Sequence, residues 1–321
     1  MLLAILTTLA GLLLLVWGGD VLLKGAVGLA KYLQLTPAVI GLTVVAAGTS
    51  VPELAVSGVA AWHGKPDITV GNVVGSNIFN IAFILGCVSI YRRLTLAGNT
   101  IKLEFPVLLL VTFLFIVLSM DGSINRLEGS LFVFIYIAFT AFLIRVVRRE
   151  LTKTEESQYE SEIAELQEAD GGSIGRSILL TLAGITILGF AADLTVSGAV
   201  EVGRLVGMSE SLIGLTIVAA GTGLPELVTS FVSCYRGRND VAIANVIGSN
   251  LFNILGIIGL TSIVHPIPVH AGIIQEDNWW LLGVTIILFP IMRKGFDITK
   301  REGLVLLAVY IIYIGQLIVR G

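Results

Sequence analysis

The sequence predicts an all-α integral membrane protein with ten transmembrane helices in two inverted five-helix repeats. Three observations carry that prediction. The 321 residues are 55% hydrophobic and 13% charged, with a mean hydropathy of +0.92, whereas a water-soluble domain carries about a quarter charged residues. Apolar runs able to cross a hydrocarbon core, which takes about 20 residues at 1.5 Å each, recur along the whole chain. A patterned polar stretch inside those runs occurs twice.

In order, the spans are read at 2–30, 38–61, 68–90, 104–119, 127–147, 174–204, 211–234, 241–263, 278–292 and 302–319. The N-terminus, Met1-Leu2-Leu3-Ala4, lacks the basic start and small-residue cleavage site of a signal peptide, so it opens the first helix. Spans one and six are overlong and each contains an acid, Asp20 and Asp193, so they tilt or run past the membrane. Placing the N-terminus outside puts fifteen lysines and arginines in inner loops and four on the outer side. That asymmetry sets both termini outside a cell membrane and the loop at 150–173 in the cytoplasm. This loop carries Glu150, Glu155, Glu156, Glu160, Glu162, Glu165, Glu168 and Asp170 against Lys153 alone. It reads as a solvated linker, because a Ca²⁺-binding loop needs a folded set of six to eight oxygens whose pattern is absent. The chain therefore divides into a first repeat at 1–149, an acidic linker at 150–173 and a second repeat at 174–321. Cys87 and Cys234 have no metal spacing and form no disulfide framework; they read as small buried hydrophobes.

The repeated stretch runs Gly41-Leu-Thr-Val-Val-Ala-Ala-Gly-Thr-Ser-Val-Pro-Glu53 and Gly214-Leu-Thr-Ile-Val-Ala-Ala-Gly-Thr-Gly-Leu-Pro-Glu226. The offset is 173, and it also relates Thr49 to Thr222, Ser76 to Ser249, Asn80 to Asn253 and Asp20 to Asp193. With five spans per copy, an odd number, the second copy enters the membrane the other way up. Inverted repeats of this kind put a transporter's substrate near the bilayer midplane, at the interface between the halves. Packing alone would keep small and apolar residues in both copies. It gives no reason to keep Glu, Asn, Ser and Thr.

A glutamate at bilayer depth costs roughly 2.5–3.5 kcal/mol on the insertion scale, so two in register call for a function. Gly48, Ser50 and Pro52 crowd one turn, as do Gly221, Gly223 and Pro225. Proline has no N–H and clashes with the carbonyl four residues back, here that of Gly48 or Gly221. Freed backbone groups survive in a membrane only where protein, water or a ligand satisfies them. Each motif thus offers carbonyls, hydroxyls and a carboxylate to a hard cation. Spans three and eight add Gly71-Asn72-Val-Val-Gly-Ser76-Asn77-Ile-Phe-Asn80 and its counterpart Ala244-Asn245-Val-Ile-Gly-Ser249-Asn250-Leu-Phe-Asn253. Ser76 and Asn80 share a face, with Asn72 one turn further along it and Asn77 pointing elsewhere. Asn77 and Asn250 divide evenly between ligation and gluing helices together. Two carboxylates are neutralised by one Ca²⁺ or two Na⁺, which lowers the cost of holding ions in a low dielectric. Conformational change is then favoured in the loaded state, which is the condition for exchange rather than leak. Asp20 can pair with Lys24 one turn on, and Asp193 has Ser197 there; a structural role is preferred to gating for both.

Gly-Thr-Ser-x-Pro-Glu followed by Gly-Asn-x-x-Gly-Ser-Asn-x-x-Asn, present twice, resembles the sodium/calcium exchanger family of the cation/Ca²⁺ exchanger superfamily, in its prokaryotic form. The resemblance implies alternating access, with spans one and six sliding against the other eight. It implies an antiporter that uses Na⁺ to extrude Ca²⁺, not an enzyme, with no cofactor, no nucleic acid and no obligate protein partner. Carried over by position, it implies Ca²⁺ ligands at Glu53 and Glu226 through carboxylates and at Thr49 and Thr222 through carbonyls. It implies Na⁺ positions at Ala46, Ser50, Ser76, Ala219 and Ser249, with Asn80 and Asn253 at the middle position. Two departures stand out. Gly223 replaces an expected serine, removing one hydroxyl, and Asn253 stands where some members carry aspartate. Ca²⁺/H⁺ exchange is therefore the alternative on the same fold. A channel fits less well, since pores repeat charge in rings of parallel subunits. An intramembrane acid–base enzyme lacks a histidine partner, because His63, His265 and His270 fall in or beside outer loops.

Overall fold

The computed structural model describes residues 1–33, 35–62, 67–96, 100–150, 173–207 and 221–320. All but the end residues of the acidic linker fall outside them. The chain builds α1 (Leu2–Leu33), then a bent pair, α2 (Ala38–Thr49) and α3 (Val51–Trp62). There follow α4 (Ile68–Tyr91), α5 (Thr100–Ser119) and α6 (Arg126–Glu150). Beyond the linker come α7 (Ile174–Leu205), α8 (Leu224–Tyr235) and α9 (Asn239–Val264). The chain closes with α10 (Asn278–Arg293), preceded by a π-helical turn at Ile273–Asp277, and α11 (Lys300–Arg320). Among the described residues, seven helices are long and apolar enough to cross a membrane, and the bent pair makes an eighth. The span expected at 278–292 is not among these, and the one expected at 211–234 lies partly outside the described residues. Residues 211–220 lie outside the described set, which leaves α8 with 12 residues, and α10 has 16.

Burial sorts the helices into centre and rim. The apolar windows of α4 and α9 are 78% and 94% buried, whereas those of α6 and α11 are 17% buried. Both central helices switch from α to π geometry partway, at Phe79–Ile84 and Phe252–Ile258. Phe134, Ile137, Leu304 and Ile311 stand exposed on the rim helices, as suits contact with lipid.

The overlong helices α1 and α7 pack on each other antiparallel. A Cβ on Gly11 would lie 2.3 Å from Thr195 Oγ1, and one on Gly184 would lie 2.5 Å from the backbone nitrogen of Leu22. The next contacts along the pair are Gly25 against Thr181 and Gly198 against Thr8. Each contact has its counterpart 173 residues away in the other half. Small residues let membrane helices approach at the backbone, where packing rather than hydrophobicity holds them together. Two short strand pairs link the halves in the same symmetric way. β1 (Leu94–Thr95) pairs antiparallel with β4 (Asp297–Ile298), and β2 (Ser123–Ile124) with β3 (Ile267–Pro268). The guanidinium of Arg93 bonds the carboxylate of Asp297 beside the first pair.

Candidate functional site

The break between α2 and α3 is a 44° bend at Ser50. Its cause is Pro52, which cannot donate to Gly48. A new helix starts at Val51 with Glu53 in its first turn, and α8 starts likewise at Leu224 with Glu226 in its first turn. Helix N-termini present unpaired amides and the positive end of the helix dipole, so both acids sit where negative charge is favoured.

The two carboxylates come together as the repeat requires. Glu53 and Glu226 are each 1% exposed and within electrostatic reach of one another. Ser50 Oγ donates to Glu226 Oε1 at 2.8 Å, across the interface between the halves. The Oε2 atoms of both glutamates are buried without a hydrogen-bond partner. Among the described residues, the ion pairs found involve neither of them. Those residues also contain no group of three or more His, Cys, Asp or Glu that could hold a metal. A cation here must therefore draw on hydroxyl, amide and carbonyl oxygens as well.

Such oxygens surround the pair. The carbonyl of Ala46 accepts from Ser50 N at 3.1 Å, Thr49 Oγ1 at 3.2 Å and Ser249 Oγ at 3.4 Å. Three donors on an oxygen with two lone pairs make it a crowded, buried acceptor at the break. Thr49 Oγ1 also donates to Asn245 Oδ1 at 3.4 Å. Thr222 is half-buried at the start of α8, and Ala219 lies outside the described residues. Ser76 lines a cavity of about 460 Å³ together with Asn72, Phe79, His270 and Asp277.

The asparagines depart from the expected division of labour. Asn80 Nδ2 donates to Asn250 Oδ1 at 3.2 Å, Asn253 Nδ2 to Asn77 Oδ1 at 3.0 Å, and Asn77 Nδ2 to the Asn250 carbonyl at 3.2 Å. Asn77 thus does not point elsewhere. All four amides clasp α4 to α9, with Asn253 Oδ1 left buried and unpartnered. Asn77 and Asn80 are three apart and flank the onset of π geometry at Phe79, so both reach the partner helix.

Two serines escaped the sequence reading. Asn72 Nδ2 donates to Ser57 Oγ at 3.1 Å and to the carbonyl of Glu53 at 3.4 Å, and Asn245 Nδ2 donates to Ser230 Oγ at 3.1 Å. Ser57 and Ser230 lie one turn beyond the glutamates and obey the 173 offset, which is the signal that could have found them. Asp20 bonds Lys24 at 3.0 Å as expected, and also Arg236 of α8 at 2.6 Å. Cys234 is buried and Cys87 half-buried, and both are free thiols.

Broken helices that meet at paired buried carboxylates inside a polytopic helical protein define a membrane transporter, of the class that exchanges cations against Ca²⁺. The chain belongs to the sodium/calcium exchanger family: the family described as sodium/calcium exchanger protein matches residues 3–145 and 176–319. The putative antiporter CaxA of Alkalimonas amylolytica is 38% identical over 98% of either chain. The sodium/calcium exchanger MaX1 of Methanosarcina acetivorans is 30% identical over 96% of this chain and 97% of its own. Among solved structures, the sodium-calcium exchanger NCX_Mj superposes with a TM-score of 0.83 at 29% identity, over 98% of this chain and 99% of that one.

Proposed function

We propose that this protein extrudes Ca²⁺ in exchange for Na⁺ by alternating access. Ten spans form two inverted repeats, completed by α8 with the residues before it and by α10 with its π-helical turn. Both termini are outside and the linker at 150–173 is cytoplasmic. The observation that carries the reading is the meeting of Glu53 and Glu226, both buried and without a basic partner among the described residues, with Ser50 of the first motif bonded to Glu226. Two negative charges in a low dielectric demand a divalent cation or two monovalent ones. Ca²⁺ takes the carboxylates of Glu53 and Glu226 and the carbonyls of Thr49 and Thr222. Na⁺ uses the same acids with Ala46, Ser50, Ser76, Ala219 and Ser249, while Asn80 and Asn253 hold the middle position.

A second reading, Ca²⁺/H⁺ exchange, draws on Gly223, which removes a hydroxyl from the second half. Purified protein in liposomes separates the two readings. With only a Na⁺ gradient imposed, ⁴⁵Ca²⁺ uptake is expected; uptake driven only by a pH gradient would shift the assignment to protons.

A further inference from the structure

The two halves differ at one coupled set of positions. Ser50 faces Glu226, but its counterpart 173 residues on is Gly223. The space beside Gly223 is filled: a Cβ built there would lie 2.5 Å from Cε1 and 2.7 Å from Cδ1 of Phe79. Phe79 is held in that pose from behind. Its ring stacks on Phe83 with centroids 4.8 Å apart, and its edge meets Tyr310 at 5.7 Å.

The counterpart of Phe79 is Phe252, and that of Phe83 is Gly256. A Cβ on Gly256 would lie 2.7 Å from the Phe252 ring. Phe252 therefore folds back along its own helix, into the room that Phe83 takes up in the first half. The substitutions pair by size. Where the α4 or α9 helix carries Gly256, the ring lies down, and the half keeps Ser50 facing it in the repeat frame. Where it carries Phe83, the ring stands over Gly223, and no side chain fits there.

We propose that Phe79, propped by Phe83, is a specificity-determining wall at the Na⁺ position that Ser76 shares with the Gly223 turn. Ser76 and Phe79 both line the 460 Å³ cavity, so the ring stands between that cavity and the second-half motif. On the opposite side, Ser249 Oγ donates to the Ala46 carbonyl and Ser50 Oγ to Glu226, so that side carries two hydroxyls. Ser76 is left as the one serine of its pair, and the ring excludes a replacement. That position binds Na⁺ more weakly than the one beside Ser50 and Ser249, and the exchanger couples to Na⁺ with a shallower dependence than two equal positions would give. This rests on the proposed Na⁺/Ca²⁺ exchange.

The test compares Gly223→Ser, Phe83→Gly and the double variant in liposomes. Two rates are read: Na⁺-driven ⁴⁵Ca²⁺ uptake against Na⁺ concentration, and Ca²⁺/Ca²⁺ exchange without Na⁺. Gly223→Ser alone is expected to slow both rates, because its Cβ meets the ring. The double variant is expected to recover Ca²⁺/Ca²⁺ exchange, to lower the half-saturating Na⁺ about fivefold and to steepen its dependence. Phe79→Ala with Gly223→Ser removes the wall directly and is expected to behave alike. An unchanged Na⁺ dependence with intact Ca²⁺/Ca²⁺ exchange overturns the inference, as does the same gain from Gly223→Ser alone or loss of Ca²⁺/Ca²⁺ exchange in both double variants. Absence of all Ca²⁺ exchange in the unsubstituted protein would instead sink the functional reading, and this inference with it.

Discussion

At the residue scale the two acids are equivalent in burial but not in their partners. Glu226 accepts from Ser50, whereas Gly223 offers Glu53 no hydroxyl. Replacing either acid by glutamine removes half the charge that a divalent ion balances. Glu53→Gln and Glu226→Gln are each expected to reduce ⁴⁵Ca²⁺ flux to background, measured in liposomes; flux like that of the unsubstituted protein in either variant would refute the assignment. Ser50→Ala is milder. It removes one hydrogen bond to a charged group, worth about 1.5–3 kcal/mol, and water can replace part of it. Half-saturating Na⁺ should rise about tenfold with flux still measurable. The glutamates and the asparagines stand out in the sequence because a charge or amide at bilayer depth is costly and these recur in frame, whereas Ser50, whose counterpart is Gly223, stands out only within its own motif. Ser57 and Ser230 were not legible, since a serine in a membrane helix ordinarily satisfies itself by bonding the carbonyl four residues back. Here the side-chain amides of Asn72 and Asn245 bond the two hydroxyls.

At the element scale, hydropathy located most helices to within a few residues, because length and apolarity are fixed by the bilayer. It did not foresee the π turns, which leave no mark in composition. The stretch at Asn278–Arg293 is also not among the described helices that meet the measure of a spanning helix. The close contact of α1 with α7 was hidden as well: glycines in apolar runs have many roles, and the partner appears only in the fold. That contact makes a prediction. Gly184→Val places a branched side chain against the backbone of Leu22. Overpacking of this kind costs about 1–3 kcal/mol. The Tm in detergent should fall by about 5 °C. Gly189→Val, on the same helix with nothing within 4 Å of its Cβ, should leave Tm unchanged. Equal effects at both positions would show that helix composition, not the α1–α7 contact, sets the stability.

At the scale of the whole molecule, the constant offset was legible in the sequence, and contacts between the halves, such as β1 on β4 and β2 on β3, tie the two together. Asp20 of α1 reaching Arg236 at the end of α8 is one such contact, and sequence spacing pointed only to Lys24. If α1 and α7 slide against the remaining helices, this bond holds in one state and breaks in the other. Cys234 lies fully buried two residues before Arg236, with its carbonyl accepting from Arg92 at 3.3 Å. It is a native reporter of that end. The pair is partly exposed, with Arg236 at 52% and Asp20 at 19%, so solvent screening holds its worth to about 1 kcal/mol at most. In a Cys87→Ser background, Asp20→Asn should therefore speed thiol labelling of Cys234 by up to about fivefold. Arg236→Gln should do the same, and the double variant should add nothing further, because both changes remove one interaction. Additive effects, or labelling that stays at the unsubstituted rate, would mean that the bond decorates the surface and does not hold that end shut.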